Sequence, residues 1–192
     1  MLSLIELYIL INLIKNYEPE IIKIIEKFMI HTFKTKEELR NAVNMWCEKE
    51  TCLEAEIKYG HISNWNVILI KDMSDLFDRK VNFNDDINEW DVSNVINMDG
   101  MFADAYSFNQ PLDKWNVSKV RTMEDMFYEC YSFNQDISSW NVSNVLDMES
   151  MFYNATNFNH SINNWDVSNV ENMSGMFNGA IEMEEENKPI FK

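Results

Sequence analysis

Glycine, proline and cysteine are all scarce in this chain of 192 residues: 4 Gly, 3 Pro and 3 Cys. Few Gly and Pro exclude a collagen-like or low-complexity linker protein. An odd trio of thiols, Cys47, Cys52 and Cys130, excludes a disulfide framework and fits a reducing compartment. Cys47 and Cys52 lack partners at zinc-site spacing and read as ordinary thiols. Basic residues are also few, 16 against 32 acidic, for a formal charge of −16. Residues 1–64 balance at −2 and residues 65–192 at −14, so the later part carries the charge. Such a surface repels phosphate backbones and anionic lipid, which argues against nucleic-acid or membrane partners and is compatible with a basic protein. The same charge keeps an apolar array in solution.

Long apolar runs are missing too. Residues 2–14 are apolar but too few to span a bilayer. No basic residue precedes them, Glu6 interrupts them, and neither a cleavage site nor a lipidated cysteine follows. The expectation is an intracellular, cytoplasmic protein. No cofactor or metal signature appears, and His31, His61 and His160 occupy unrelated contexts without a nucleophile motif or a phosphate loop. No catalytic residue is therefore expected.

What the chain does have is large apolar side chains, with 13 Met, 12 Phe and 6 Trp, on a fixed period. Trp65, Trp90, Trp115, Trp140 and Trp165 stand 25 residues apart. With Trp as position zero, Val recurs at +2, Met98, Met123 and Met148 at +8, and Phe102, Phe127 and Phe152 at +12. Positions 0 and +2 alternate as in a half-buried strand. Positions +5, +8, +11, +12 and +15 step by three and four as in a helix. Each copy thus reads as a short strand, a turn, a short helix and an extended return. Burial within one copy falls well short of the cost of ordering its backbone, so neighbours must stack. The fold class expected is an α/β solenoid of five copies over residues 61–183, behind an all-helical N-terminal cap (1–60) and before an acidic tail (184–192).

Asn or Asp at +1, Ser at +3 and Asn at +19 read as polar ladders that satisfy turns and join copies. Calcium coordination is the alternative, but calcium loops use more carboxylates and glycines. Sequons, among them those at Asn116, Asn141, Asn154 and Asn172, mostly follow from the repeat pattern itself. In the cap, Thr35 and Glu38 have capping-box spacing ahead of a helix burying Leu39, Ala42, Val43 and Trp46. A second short helix closes at Gly60, and His61 reads as a turn residue.

Two resemblances stand on particular strings. "EPEIIKIIEKFM", residues 18–29, resembles the first helix of an F-box, which implies a ubiquitin-ligase substrate adaptor; a purely structural helix is the other reading. The pattern F-N-Q-x-I-x-x-W-x-V-S-N-V-x-x-M-x-x-M-F, nearly complete in residues 133–152, resembles the BspA-like leucine-rich-repeat surface-protein family, whose 25-residue repeats also occur in Mycoplasma lipoproteins and in large-virus and protist proteins. That resemblance implies a leucine-rich-repeat-like solenoid that binds proteins and carries no catalytic residue. Without an export signal or lipobox, surface exposure is not expected here. The function expected is a non-enzymatic, monomeric scaffold for a protein or peptide, and a basic partner is compatible with its charge. Binding residues should sit where copies differ, and Tyr106, Tyr128, Tyr131 and Tyr153 are the candidates.

Overall fold

The computed structural model describes residues 30–190. The apolar run at 2–14 and the F-box-like string at 18–29 lie outside the described residues.

Helix α1, Lys36–Cys47, starts at Thr35, whose hydroxyl accepts from the Glu38 N–H at 3.1 Å. Glu38 does not return to the Thr35 N–H. Its carboxylate accepts from the Lys34 N–H and meets His31. The expected capping box is thus half formed, because the His31 ring draws Glu38 one residue further back. Leu39, Ala42, Val43 and Trp46 are buried. Helix α2, Cys52–Tyr59, ends at Gly60 with φ +79°. The His61 ring then accepts from the Ser63 N–H and starts a single 3-10 turn, Ile62–Asn64.

The described part of the cap is not all helical. Thr32 pairs in parallel with Asn66, and the Phe33 N–H donates to the Asn66 carbonyl at 3.0 Å. This extended segment joins the cap to the first repeat. Its buried Phe33 packs on Trp65 and Tyr59, so cap and repeats share one core.

The repeats stack as five successive coils, but neither the expected strand nor the expected helix is present among the described residues. Positions 0 and +2 are both buried, yet they form no ladder. The +1 Asn or Asp side chain accepts from the +3 N–H, and the +2 carbonyl accepts from the +5 N–H, as in Asp91 to Ser93 and Val92 to Val95. The chain therefore curls at once. Parallel pairing occurs instead at +7, one residue per coil, through Asp72, Asn97, Thr122, Asp147 and Asn172.

The stretch expected to be helical has its own logic. In the first copy the +8, +10, +12 and +14 N–H groups (Met73, Asp75, Phe77 and Arg79) donate to Asn97, Asp99, Met101 and Ala103 of the next coil. The N–H groups between them turn back three residues, as Leu76 to Met73, Asp78 to Asp75 and Lys80 to Phe77. All four junctions repeat the four forward bonds, at 2.7–3.1 Å. An α-helix would send every N–H back to its own chain and leave none for the next coil. Residues of positive φ at +10 (Asp75, Gly100, Asp125, Ser150, Gly175) and +14 (Arg79, Asp104, Glu129, Asn154, Gly179) prevent that. Each is the third residue of a turn, where type II geometry demands positive φ.

Inside, like residues fall on like. Phe77, Phe102, Phe127, Phe152 and Phe177 form a column with ring centres 5.3–5.6 Å apart. Each of the first four packs within its own coil on Phe83, Phe108, Phe133 or Phe158 at 4.0–4.3 Å. Each of the five repeat Trp indoles donates to a backbone carbonyl of the preceding layer, as Trp140 Nε1 does to Leu112 at 3.0 Å. On the return side the +19 Asn oxygens accept from the next coil's N–H, running from Asn84 through Asn109 and Asn134 to Asn159. Asparagine there joins copies through the backbone.

Candidate interaction face

Positions +8, +11, +12 and +15 point into the core in the central copies, so +9, +10, +13 and +14 face outward. In those copies these positions carry the acidic and aromatic residues Asp99, Asp104, Glu124, Asp125, Tyr128, Glu129, Glu149 and Tyr153, with Gly100, Ala103, Ser150 and Asn154 at the remaining places.

The four tyrosines form two pairs. Tyr128 and Tyr153 stack at 4.9 Å with rings 5° from parallel. Tyr106 and Tyr131, at +16, stack at 4.9 Å and 30° and are more than a third exposed. The Tyr131 hydroxyl donates to Glu129 Oε2 at 2.6 Å, and this bond leads burial and charge in pushing the phenol up to about 12. The Asp104 carboxylate raises Tyr106, and burial followed by the Glu129 charge raises Tyr128. These phenols stay protonated at neutral pH and serve as stacked rings, with the Tyr131 hydroxyl fixed as a donor.

The carboxylates are crowded. Burial, then the charges of Asp147 and Asp72, raises Asp99 above its ordinary value of 3.8, although Thr122 and the Glu124 N–H both donate to it. Burial, then neighbouring carboxylates, raises Glu124 and Asp125 in the same sense. Cations cluster at the first copy: Lys36 pairs with Asp72, Arg40 with Asp75, and Arg79 lies between Asp78 and Asp104. Among the described residues Glu124, Asp125, Asp147 and Glu149 form no ion pair. The face is therefore negative at its centre and neutralised toward the cap.

A raised carboxylate pKa means that the folded chain holds its proton more tightly than the unfolded chain. The ionised group then opposes folding, and stability rises as pH falls toward 3.8. Asp99→Asn keeps the oxygen that accepts from Thr122 and removes the charge. It should raise the melting temperature at pH 7, and the gain over the parent should vanish below pH 3.8. Melting curves of both proteins across that range will show it.

A half-open cavity of about 340 Å³ lies between α1 and the first repeat, lined by residues including Trp46, Cys47, Lys80 and Asp85. Trp46 Nε1 donates to Asp85 there at 3.0 Å. Lys80 replaces the small +15 residue of later copies, because this coil meets the cap rather than another coil. Burial pushes the Cys47 thiol up to about 12, which leaves it a poor nucleophile. His31 packs against Phe33 and Tyr59, while His61 lies edge-on to Trp46. Among the described residues no cluster of His, Cys, Asp and Glu has metal-binding geometry, and no helix is long and apolar enough to cross a membrane.

The sequence singled out the tyrosines but not their pairing or the carboxylates around them. The signal available was the coincidence of acids at +9 and +14 in adjacent copies. The chain matches the family described as "Mycoplasma protein of unknown function, DUF285" over residues 27–150 and again over 134–190. Searches of curated proteins and of solved structures returned no match.

Proposed function

The chain belongs to the Mycoplasma protein family of unknown function, DUF285, and on that premise we propose that it is a non-enzymatic scaffold whose acidic, tyrosine-bearing face binds a basic protein or peptide. The observation that carries this reading is the juxtaposition of two stacked tyrosine pairs with carboxylates that have no counter-charge among the described residues. Aromatic rings give contact area at low entropic cost, and unpaired charge steers a cationic partner. The coil stack is read as a leucine-rich-repeat-like solenoid of the BspA-like kind, supported by its 25-residue period and its ladder between copies. An intracellular setting is part of the proposal and is supported by three free thiols.

A fluorescent Lys/Arg-rich peptide should bind the protein, with affinity falling steeply as salt rises. Tyr153→Ala and Tyr128→Ala should each weaken binding about tenfold or more while leaving the melting temperature nearly unchanged. Binding unaffected by both changes, or a melting loss as large as that of a core tryptophan, would remove this face from consideration.

A further inference from the structure

The two ends of the stack are finished differently. At the N-terminal end the first coil is covered: Arg40 of α1 donates to the Ser74 carbonyl at 2.8 Å, Lys36 reaches Asp72, and Met73 and Phe77 are fully buried. At the other end the fifth coil repeats the ladder positions in Met173, Gly175, Phe177 and Gly179. In the four coils before it, the equivalent N–H groups all donate to the next coil. Here, among the described residues, nothing accepts from them. Beneath them Val170, Met173 and Phe177 are only partly buried, whereas their counterparts in the central coils are closed off. Beyond Met183 the chain follows the return side, where Asn187 donates to the Asn159 carbonyl, and through residue 190 it offers no acceptor to these N–H groups. Lys188 reaches across, its ammonium 5.5 Å from the centre of the Phe177 ring.

We propose that this end is a second docking surface, distinct from the tyrosine face, and that its occupant is a coil of the same repeat pattern supplied by another chain. The path of the edge selects the occupant. The four donors follow a curled backbone with positive φ at Gly175 and Gly179, so a straight strand cannot present four carbonyls to them. A coil that carries the same two turns does, and its +12 Phe would continue the phenylalanine column. A second copy of this protein is unsuited, because its own carbonyl edge lies under α1, and two donor edges do not pair.

The test uses the full chain and a synthetic peptide with the sequence of residues 140–164. Saturable binding should appear by isothermal titration, and the N–H groups of Met173, Gly175, Phe177 and Gly179, fast to exchange in the free protein, should become protected. Phe177→Asp should weaken binding about two- to tenfold, the share a stacked aromatic contributes beyond its area. Lys188→Ala should tighten it by uncovering the ring. A peptide with valine in place of Ser150 and Asn154 should not bind, since valine resists positive φ. Tyr153→Ala should leave the affinity unchanged, which separates this surface from the tyrosine face. The proposal is overturned by absence of binding, by indifference to Phe177→Asp, by equal binding of the valine peptide, or by dimers of the protein alone in sedimentation.

Discussion

Trp140→Ala is expected to cost about 3–5 kcal/mol, the range for deleting a buried aromatic. The side chain is 4% exposed and sits between Trp115 and Trp165 at 6.4 Å on either side. Its loss opens a cavity that neighbours cannot fill, since each ring is held in its own layer. It also removes the indole donor to the Leu112 carbonyl, which keeps only its bond from the Trp115 N–H. In a stack each coil is supported by its neighbours alone, so the damage should concentrate in the fourth and fifth copies. Urea unfolding should show the loss, and amide exchange should show faster opening at residues 148–180 than at 73–105. Trp140→Phe keeps most of the packing and should recover more than half of the difference. Uniform acceleration from α1 to Met183 would mean that the array unfolds as one unit.

Gly100→Val should cost about 2–3 kcal/mol, the penalty for forcing a branched residue into left-handed backbone. Gly100 has φ +58°, and a Cβ there would lie 2.7 Å from Asp75 Oδ1 in the coil below. The opposite change at the equivalent position of the fourth copy should help. Ser150 already holds φ +52°, so Ser150→Gly relieves strain and should add about 0.5–1 kcal/mol, net of the greater freedom glycine has when unfolded. Melting curves of the two variants beside the parent decide the matter. Equal and small effects would mean that the turns at +10 tolerate any residue.

These glycines also explain what sequence reading captured and what it missed. Period and core were legible, because Trp, Val, Met and Phe recur without error at positions that must be dry. The local backbone was not. Linked three-residue turns place apolar side chains at steps of three and four just as a helix does, so spacing alone does not separate them. The distinguishing sign was present: three of the four glycines fall at +10 or +14, and Asp or Asn fills several of the remaining places. Such residues at fixed intervals argue for left-handed turns and against a helix. The extended segment at Thr32 and Phe33 carried no comparable sign, since its pairing with Asn66 depends on how the cap folds back. For the tyrosine face, identity was readable and geometry was not, because stacking depends on the register between coils. The open edge at Met173–Gly179 is made of backbone N–H groups, which every sequence has and none displays.

That edge has an electrical consequence. The four forward bonds at every junction run donor to acceptor in one sense, so their peptide dipoles add along the stack. The carbonyl end, which is the negative pole, lies under α1, and the N–H end, the positive pole, lies at the fifth coil. This is the reverse, in chain direction, of the polarity of an α-helix. The charged residues are distributed to match. Lys36 and Arg40 stand at the negative pole, where their cations suit it. The repeats thus behave as a column with two unlike poles, the negative one capped by cations and the positive one open.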